Sequence, residues 1–135
     1  MFLLITLLWP LVACSEHQEN SYSSFAEAQS SDAITRGWVP DWLPPTSKGI
    51  NEVHDIDTNR LMVSFLFPKK SAVALPVNCA RIDPFMPPAP PFNKAWWPSD
   101  VPASRLSTYR HSFFQCGKSF VAISESLGEG YIWQP

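Results

Sequence analysis

The sequence has little net charge and no concentration of charge of either sign. Its 10 Lys and Arg residues nearly balance 12 Asp and Glu, for a formal net charge of -2 over 135 residues. It has no basic patch or acidic tail, which argues against a nucleic-acid partner. It also lacks the short motifs of serine hydrolases, phosphate-binding loops and zinc proteases. We therefore expect no catalytic residue, no cofactor and no metal, and enzyme activity is the weakest functional hypothesis.

The N-terminal segment is apolar but too short to span a membrane. Met1–Leu11 is apolar apart from Thr6, whereas a spanning helix needs about 20 residues. It leads into Leu11-Val12-Ala13-Cys14, which resembles the lipobox of bacterial lipoprotein signal peptides. The resemblance implies cleavage before Cys14, lipid on its thiol and an acylated amino terminus, so that acyl chains such as palmitate anchor the protein. The segment departs from such signals in lacking Lys and Arg, and an ordinary secretory signal is the alternative.

The residues after Cys14 suggest where the protein is placed. Ser15, rather than Asp, follows the cysteine, and by resemblance to the sorting rule of enteric bacteria this favours the outer membrane, facing the periplasm. The polar run that follows has no periodicity and predicts a tether. We therefore divide the chain into a lipoprotein signal peptide (1–13), a tether (14–23) and a single domain (24–135).

The other two of the three cysteines are Cys79 and Cys116. In an oxidising compartment, two remaining thiols favour one disulfide that closes a loop of just under forty residues. Two separate buried thiols are the alternative, because sequence alone does not show that the cysteines approach each other.

One helix is signalled at both ends. Ser24 and Glu27 form a capping box, in which the serine accepts from the Glu27 amide and the glutamate reaches back to the Ser24 amide. Arg36 suits a last helical turn, and Gly37 suits the residue after it, where positive φ is common. The segment Trp38–Pro45 follows, and its prolines predict a tight turn with Trp38, Trp42 and Leu43 packed inward. An exposed aromatic platform is the alternative.

The rest of the chain predicts strands and a proline-rich strap. Ile50–Ile56 and Leu61–Phe67 form the clearest pair, with the second strand central, and Ala72–Val77 is a weaker strand. Seven of the 14 prolines fall between Pro84 and Pro102, which predicts a strap held by aromatic side chains or a loop that docks on a partner. A helical turn at Ser104–Ser107 precedes three strands, Tyr109–Gln115, Ser119–Glu125 and Gly130–Gln134, the first two joined at Gly117-Lys118. We expect the strap to be held by Phe85, Phe92, Trp96 and Trp97.

These elements predict an α+β fold. One N-terminal helix would pack on an antiparallel sheet of four to six strands, and the proline-rich strap would cross the domain.

The densest polar group is the segment His54–Arg60. Its residues Asp55, Asp57 and Asn59 match the first ligand positions of a calcium loop, but Arg60 stands in place of the required glycine, which excludes an EF-hand. A looser small-ligand or cation site that uses His54, Asp55, Asp57, Asn59 and Arg60 is one hypothesis. The alternative is a hairpin turn whose carboxylates bind backbone amides and pair with Arg60.

Three stretches of the chain carry a resemblance: Phe25-Ala-Glu-Ala, Arg36-Gly-Trp-Val-Pro-Asp-Trp-Leu-Pro and His54-Asp-Ile-Asp-Thr-Asn. They resemble small bacterial lipoproteins that have a YbbD-like head domain, and Trp96-Trp-Pro fits the same group. The resemblance implies no catalytic residues. Together these observations predict a membrane-anchored, non-catalytic envelope module whose partner is an envelope protein or ligand.

Overall fold

A computed structural model of the protein describes residues 17–99, 101–102 and 110–135. The expected signal peptide, Cys14 and the turn expected at Ser104–Ser107 lie outside these residues. The elements are β1 (His17–Ser24), α1 (Phe25–Ser30), β2 (Lys48–Asp55), β3 (Leu61–Leu66), β4 (Cys79–Ile82), β5 (Ser112–Cys116), β6 (Ser119–Ser124) and β7 (Glu129–Gln134). No helix in the described part of the chain is long and apolar enough to cross a membrane.

The expected α+β fold is wrong. The seven strands form one antiparallel sheet in the order β1-β2-β3-β7-β6-β5-β4, and the helix has only six residues. The sheet consists of two units: β1, β2 and β3 form one, β4 to β7 form the other, and the pairing of β3 with β7 joins them. As predicted, β3 has a neighbour on each side, which explains why both of its faces are apolar.

The helix starts where predicted and ends early. The Ser24 side chain accepts from the Glu27 amide at 3.1 Å, but the Glu27 carboxylate binds the amide of Ser23, at 2.6 Å, and not that of Ser24. The helix ends at Ser30 because Asp32 takes φ +63. The amide of Ala33 then bonds to the Ala28 carbonyl, as in a Schellman motif. The run Ser30-Ser31-Asp32 consists of weak helix formers, so nothing opposes this stop.

Gly37 still has the conformation that the sequence predicted. Its φ is +77, and Trp38 donates from its amide to the Ala33 carbonyl at 2.9 Å. The segment between Asp32 and Gly37 is therefore a second capped turn and not a continuation of the helix.

His17–Ser23 belongs to strand β1 rather than to a tether. The strand pairs with β2 from His17 opposite Asp55 to Ser24 opposite Lys48. An edge strand makes its ladder on one side only, and here only Tyr22 is buried. The strand is held by backbone hydrogen bonds to β2, and the polar side chains of this segment give no sign of that pairing. For this reason the composition suggested a tether.

The sheet is covered on both faces. One face packs under α1 and the segment 31–47, with Ile50, Phe65 and Ile132 at its centre, and Trp38 and Trp42 pack against it as predicted. The other face, which includes Met62 and Trp133, packs under the proline-rich segment.

The proline-rich segment is anchored by side chains from the centre of the sheet and from one of its edges. The Trp133 indole donates to the Pro88 carbonyl at 3.0 Å, and Trp97 lies 5.6 Å from the Trp133 ring. Glu19 on β1 accepts from the Trp96 indole and from Lys94, both at 2.8 Å. Phe85, which we expected to hold the segment, is 57% exposed, so that expectation is wrong.

The predicted disulfide is present. Cys79 and Cys116 are opposite each other on β4 and β5, with Cα atoms 4.1 Å apart. Two other expectations need correction. Residues 72–77 form no strand, since Pro76 removes a backbone donor there. The strand expected from Tyr109 starts at Ser112, and Tyr109 itself lies outside the described residues.

Candidate functional site

A pocket of about 550 Å³ opens at the end of the β2–β3 hairpin. It is bounded by the start of β1, by the turn after α1 and by the end of β7. Its lining includes Gln18, Arg36, Trp38, His54, Arg60 and Gln134. The pocket therefore brings together residues that are far apart in sequence, at one end of the sheet.

The turn that follows β2 is held by Asp55. One of its carboxylate oxygens, Oδ1, accepts from the amides of Asp57, at 2.9 Å, and Thr58, at 3.2 Å. The other, Oδ2, lies 3.3 Å from the Arg60 guanidinium. Burial alone would raise the pKa of Asp55, but these hydrogen bonds outweigh it and hold the pKa below its usual value. This is the structural role that the sequence analysis gave as its alternative.

The predicted ligand residues do not all face the same way. His54 and Asp55 are consecutive in β2, so their side chains project from opposite faces of the sheet. Asp57 and Asn59 are exposed in the turn, and Asn59 has φ +58. Across residues 17–99, 101–102 and 110–135, no three His, Cys, Asp or Glu side chains are grouped so that they could hold a metal ion.

His54 instead belongs to a buried polar pair. Its Nδ1 lies 2.8 Å from Oε2 of Glu52, and neither residue is more than 4% exposed. The Asn20 amide donates to Oε1 of Glu52 at 2.6 Å. Burial raises the pKa of Glu52, although the hydrogen bonds with Asn20 and His54 oppose the rise. His54 Nε2 is buried without a hydrogen-bond partner among the described residues.

An aromatic and cationic stack covers His54. The Trp38 ring lies 4.1 Å from the His54 ring and almost parallel to it, and the Arg36 guanidinium lies 5.0 Å from the Trp38 centroid. Arg36 is exposed and has no ion pair in the described part of the chain. It therefore supplies the pocket with a positive charge that forms no ion pair with a described carboxylate.

The other two histidines also contact acids. His17 packs edge-on against Phe92 at 4.4 Å and lies 3.5 Å from Asp55. His111 is buried and lies 3.1 Å from Glu129.

The sequence analysis missed Glu52, Asn20 and the role of Arg36 in this site. The alternation of side chains along a strand could have revealed Glu52. Ile50, Glu52 and His54 occupy every second position of a predicted strand and must share a face. Asn20 and Arg36 gave no such signal, since the pairing of β1 with β2 brings Asn20 to Glu52 and the turn after α1 brings Arg36 to the pocket.

The family model described as the YbbD head domain matches residues 16–66. No curated protein and no solved structure matches the chain. The matched segment ends at the last residue of β3, so it corresponds to the β1-α1-β2-β3 unit and carries every pocket residue named above except Gln134. The Trp96-Trp97-Pro98 run lies outside it. The resemblance to the YbbD head domain is therefore confirmed for the first unit of the sheet.

Proposed function

We propose that the protein is a lipid-anchored module of the bacterial cell envelope, held in the membrane through Cys14. The observation that carries the proposal is the uncharged apolar run that ends in Leu11-Val12-Ala13-Cys14. The match to the YbbD head domain supports it, because it suggests an envelope-associated family. The Cys79–Cys116 disulfide also supports it, since structural disulfides persist in oxidising compartments such as the periplasm.

Metabolic labelling with palmitate tests the anchor. Wild type should incorporate label, and Cys14→Ala should not, because the thiol that carries the lipid is gone. Ser15→Ala is the matched control and should be labelled like wild type. Equal labelling of Cys14→Ala and wild type would contradict the proposal.

We place the anchor in the outer membrane, with the domain facing the periplasm, on the basis of Ser15. Ser15→Asp tests this placement by membrane fractionation. The wild-type protein should be recovered with outer membranes and the variant with inner membranes, and identical distributions would count against the placement.

The folded part acts as a non-catalytic binding module. The pocket beside the 56–60 turn favours a small ligand over a cation, because the Asp55 oxygens are already bound by amides and Arg60. Calorimetric titration of the full chain with Ca²⁺ and Mg²⁺ should give no specific heat. Saturable heat that Asp57→Asn removes would restore the cation hypothesis.

A further inference from the structure

The order and register of the strands fix which end of the sheet lies next to the anchor. His17, the first residue of β1, is opposite Asp55, the last residue of β2. Along the sheet, Leu61 pairs with Gln134, and Ser119 with Cys116. The 56–60 turn, the 117–118 turn and the pocket therefore lie at the same end of the sheet as His17. We call this the anchored end.

The chain between the lipid and the sheet is short. His17 is the third residue after Cys14, and an extended chain spans at most about 3.6 Å per residue. If Cys14 is lipidated, as in the proposed function on which this step rests, His17 lies within about 11 Å of the anchoring cysteine. The opposite end of the sheet, with the 125–128 turn, lies a strand length further away, roughly 20 Å.

Charge at the anchored end suits a bilayer surface. Arg36 is exposed without an ion pair in the part of the chain that the structure describes, and Lys118 is exposed in the 117–118 turn. Arg60 and Asp55 offset each other at 3.3 Å, which leaves Asp57 as the acid of the 56–60 turn. His54 also lines the pocket beside Arg36, and its buried Nε2 has no hydrogen-bond partner among the described residues. A guanidinium is well suited to bind a phosphate group.

We infer that the anchored end is a membrane-contact surface, in which Arg36 at the mouth of the pocket binds the phosphate of an anionic lipid headgroup. The ligand comes from the bilayer to which the protein is tethered, so binding is intramolecular in effect and needs little intrinsic affinity. The module then sits on the membrane with the proline-rich segment and the far turns directed sideways and outward.

Two engineered thiols test the orientation in the full-length, lipidated protein. With Cys14 acylated and Cys79 bound to Cys116, an introduced cysteine is the only free thiol. Ile56→Cys and Leu127→Cys replace exposed aliphatic residues at opposite ends of the sheet, and each carries the same fluorophore. In phosphatidylglycerol vesicles with a headgroup quencher, the label at position 56 should be strongly quenched and the label at 127 weakly.

The two proposals fail in different ways. A chain that takes up no palmitate refutes the anchor. If the chain takes up palmitate but the fluorophores at positions 56 and 127 are quenched equally, the anchor is supported and the orientation is refuted.

Arg36→Gln tests the headgroup contact, with Arg81→Gln as the matched control, since Arg81 is an exposed arginine of β4 outside the pocket. In phosphatidylglycerol vesicles, Arg36→Gln should lower the equilibrium constant for contact between the anchored end and the membrane by about fivefold. Quenching of the label at position 56 measures this constant. The substitution should have no effect in phosphatidylcholine vesicles, and Arg81→Gln should behave as wild type in both. Equal effects of the two substitutions would overturn the contact. Equal quenching at position 56 in phosphatidylglycerol and phosphatidylcholine vesicles, with calorimetric binding of inorganic phosphate that Arg36→Gln removes, would overturn the bilayer as the source of the ligand.

Discussion

At the scale of single residues, the most unusual side chain is Glu52. It is fully buried in the sheet, yet it carries an ionisable group, whose hydrogen-bond partners among the described residues are Asn20 and His54. A buried carboxylate is costly unless its hydrogen bonds are satisfied, and here both oxygens have a partner. The bond from Asn20 ties β1 to β2 beside His54, which lines the pocket.

The raised pKa of Glu52 predicts a pH dependence. Because the folded protein holds this proton above the ordinary value of 4.5, Glu52 lowers the free energy of unfolding as pH rises from 4.5 through the folded pKa. Glu52→Gln keeps the hydrogen-bonding shape and removes the charge. Relative to wild type, it should therefore gain stability over this range in urea unfolding.

Glu19→Gln provides the control of opposite sign. Hydrogen bonds from Lys94 and Trp96 lower the pKa of Glu19, so its contribution is present above pH 4.5 and is lost as pH falls through the folded pKa. If the free energy of unfolding changed with pH in the same way in wild type and Glu52→Gln, the raised pKa assigned to Glu52 would be contradicted.

Glycine is required at position 130 because the Phe65 ring leaves no room for a side chain, and not because of the backbone conformation. A Cβ at this position would lie 2.3 Å from Cζ of Phe65, a buried ring on the adjacent strand. Gly130→Ala should therefore destabilise the protein by about 1–3 kcal/mol through overpacking. Gly37→Ala has open space around it but φ +77, and should cost about 1 kcal/mol. Chemical unfolding compares the two, and a larger loss in Gly37→Ala would contradict the packing argument.

At the scale of elements, β4 is the weakest strand. It has four residues, lies at the edge of the sheet and has no buried residue. The disulfide with β5 holds it in register. The strand in turn fixes the start of the proline-rich segment, so the bond acts on more than the two strands that it joins.

Removal of the disulfide should loosen β4 and the start of the proline-rich segment. Cys79→Ser/Cys116→Ser should lower the free energy of unfolding by roughly 3–4 kcal/mol, because the bond closes a long loop in the unfolded chain. Urea unfolding measures the loss, and hydrogen exchange should increase first in β4 and the following segment. Cys14→Ala leaves this bond intact and should not change the stability of the domain. An unchanged stability of the double variant would contradict the role given to the bond.

At the scale of the whole molecule, the sheet has two different coverings. The N-terminal unit supplies α1 and the Trp38–Pro45 turn for one face, and the C-terminal unit is covered on the other face by the proline-rich segment. Glu19 of β1 binds Lys94 and Trp96 of that segment. These contacts argue for a packed strap and against a loop that is free to dock elsewhere.

Trp97 should be the main anchor of this strap. Its ring lies 5.1 Å from Tyr131 and 5.6 Å from Trp133, so Trp97→Ala should cost about 3 kcal/mol by leaving a cavity over the sheet. Phe85→Ala removes an aromatic ring of the same segment that is 57% exposed, and should change stability by less than about 0.5 kcal/mol. Chemical unfolding distinguishes the two, and equal losses would contradict the packing described here.

Local signals in the sequence determined the features that depend on neighbouring residues. The Ser24 cap, the positive φ of Gly37, the β2–β3 hairpin and the Gly117-Lys118 turn follow from backbone preferences that act over a few positions. The resemblance of Leu11–Cys14 to a lipobox and the resemblance to the YbbD head domain also need only the order of residues. The disulfide was predicted from a count of cysteines, although its geometry was not.

Only the tertiary structure decided the sheet, the early end of the helix and the pocket. Strand β1 forms because its backbone pairs with β2, and the polar side chains of β1 do not predict this pairing. The helix ends at Ser30 because Asp32 takes positive φ, and Ala33 packs into the core in that conformation. The pocket depends on strand pairing, which brings Gln18, Arg60 and Gln134 to one end of the sheet, and on the turn after α1, which places Arg36 there. These contacts are fixed by the tertiary arrangement rather than by spacing along the chain.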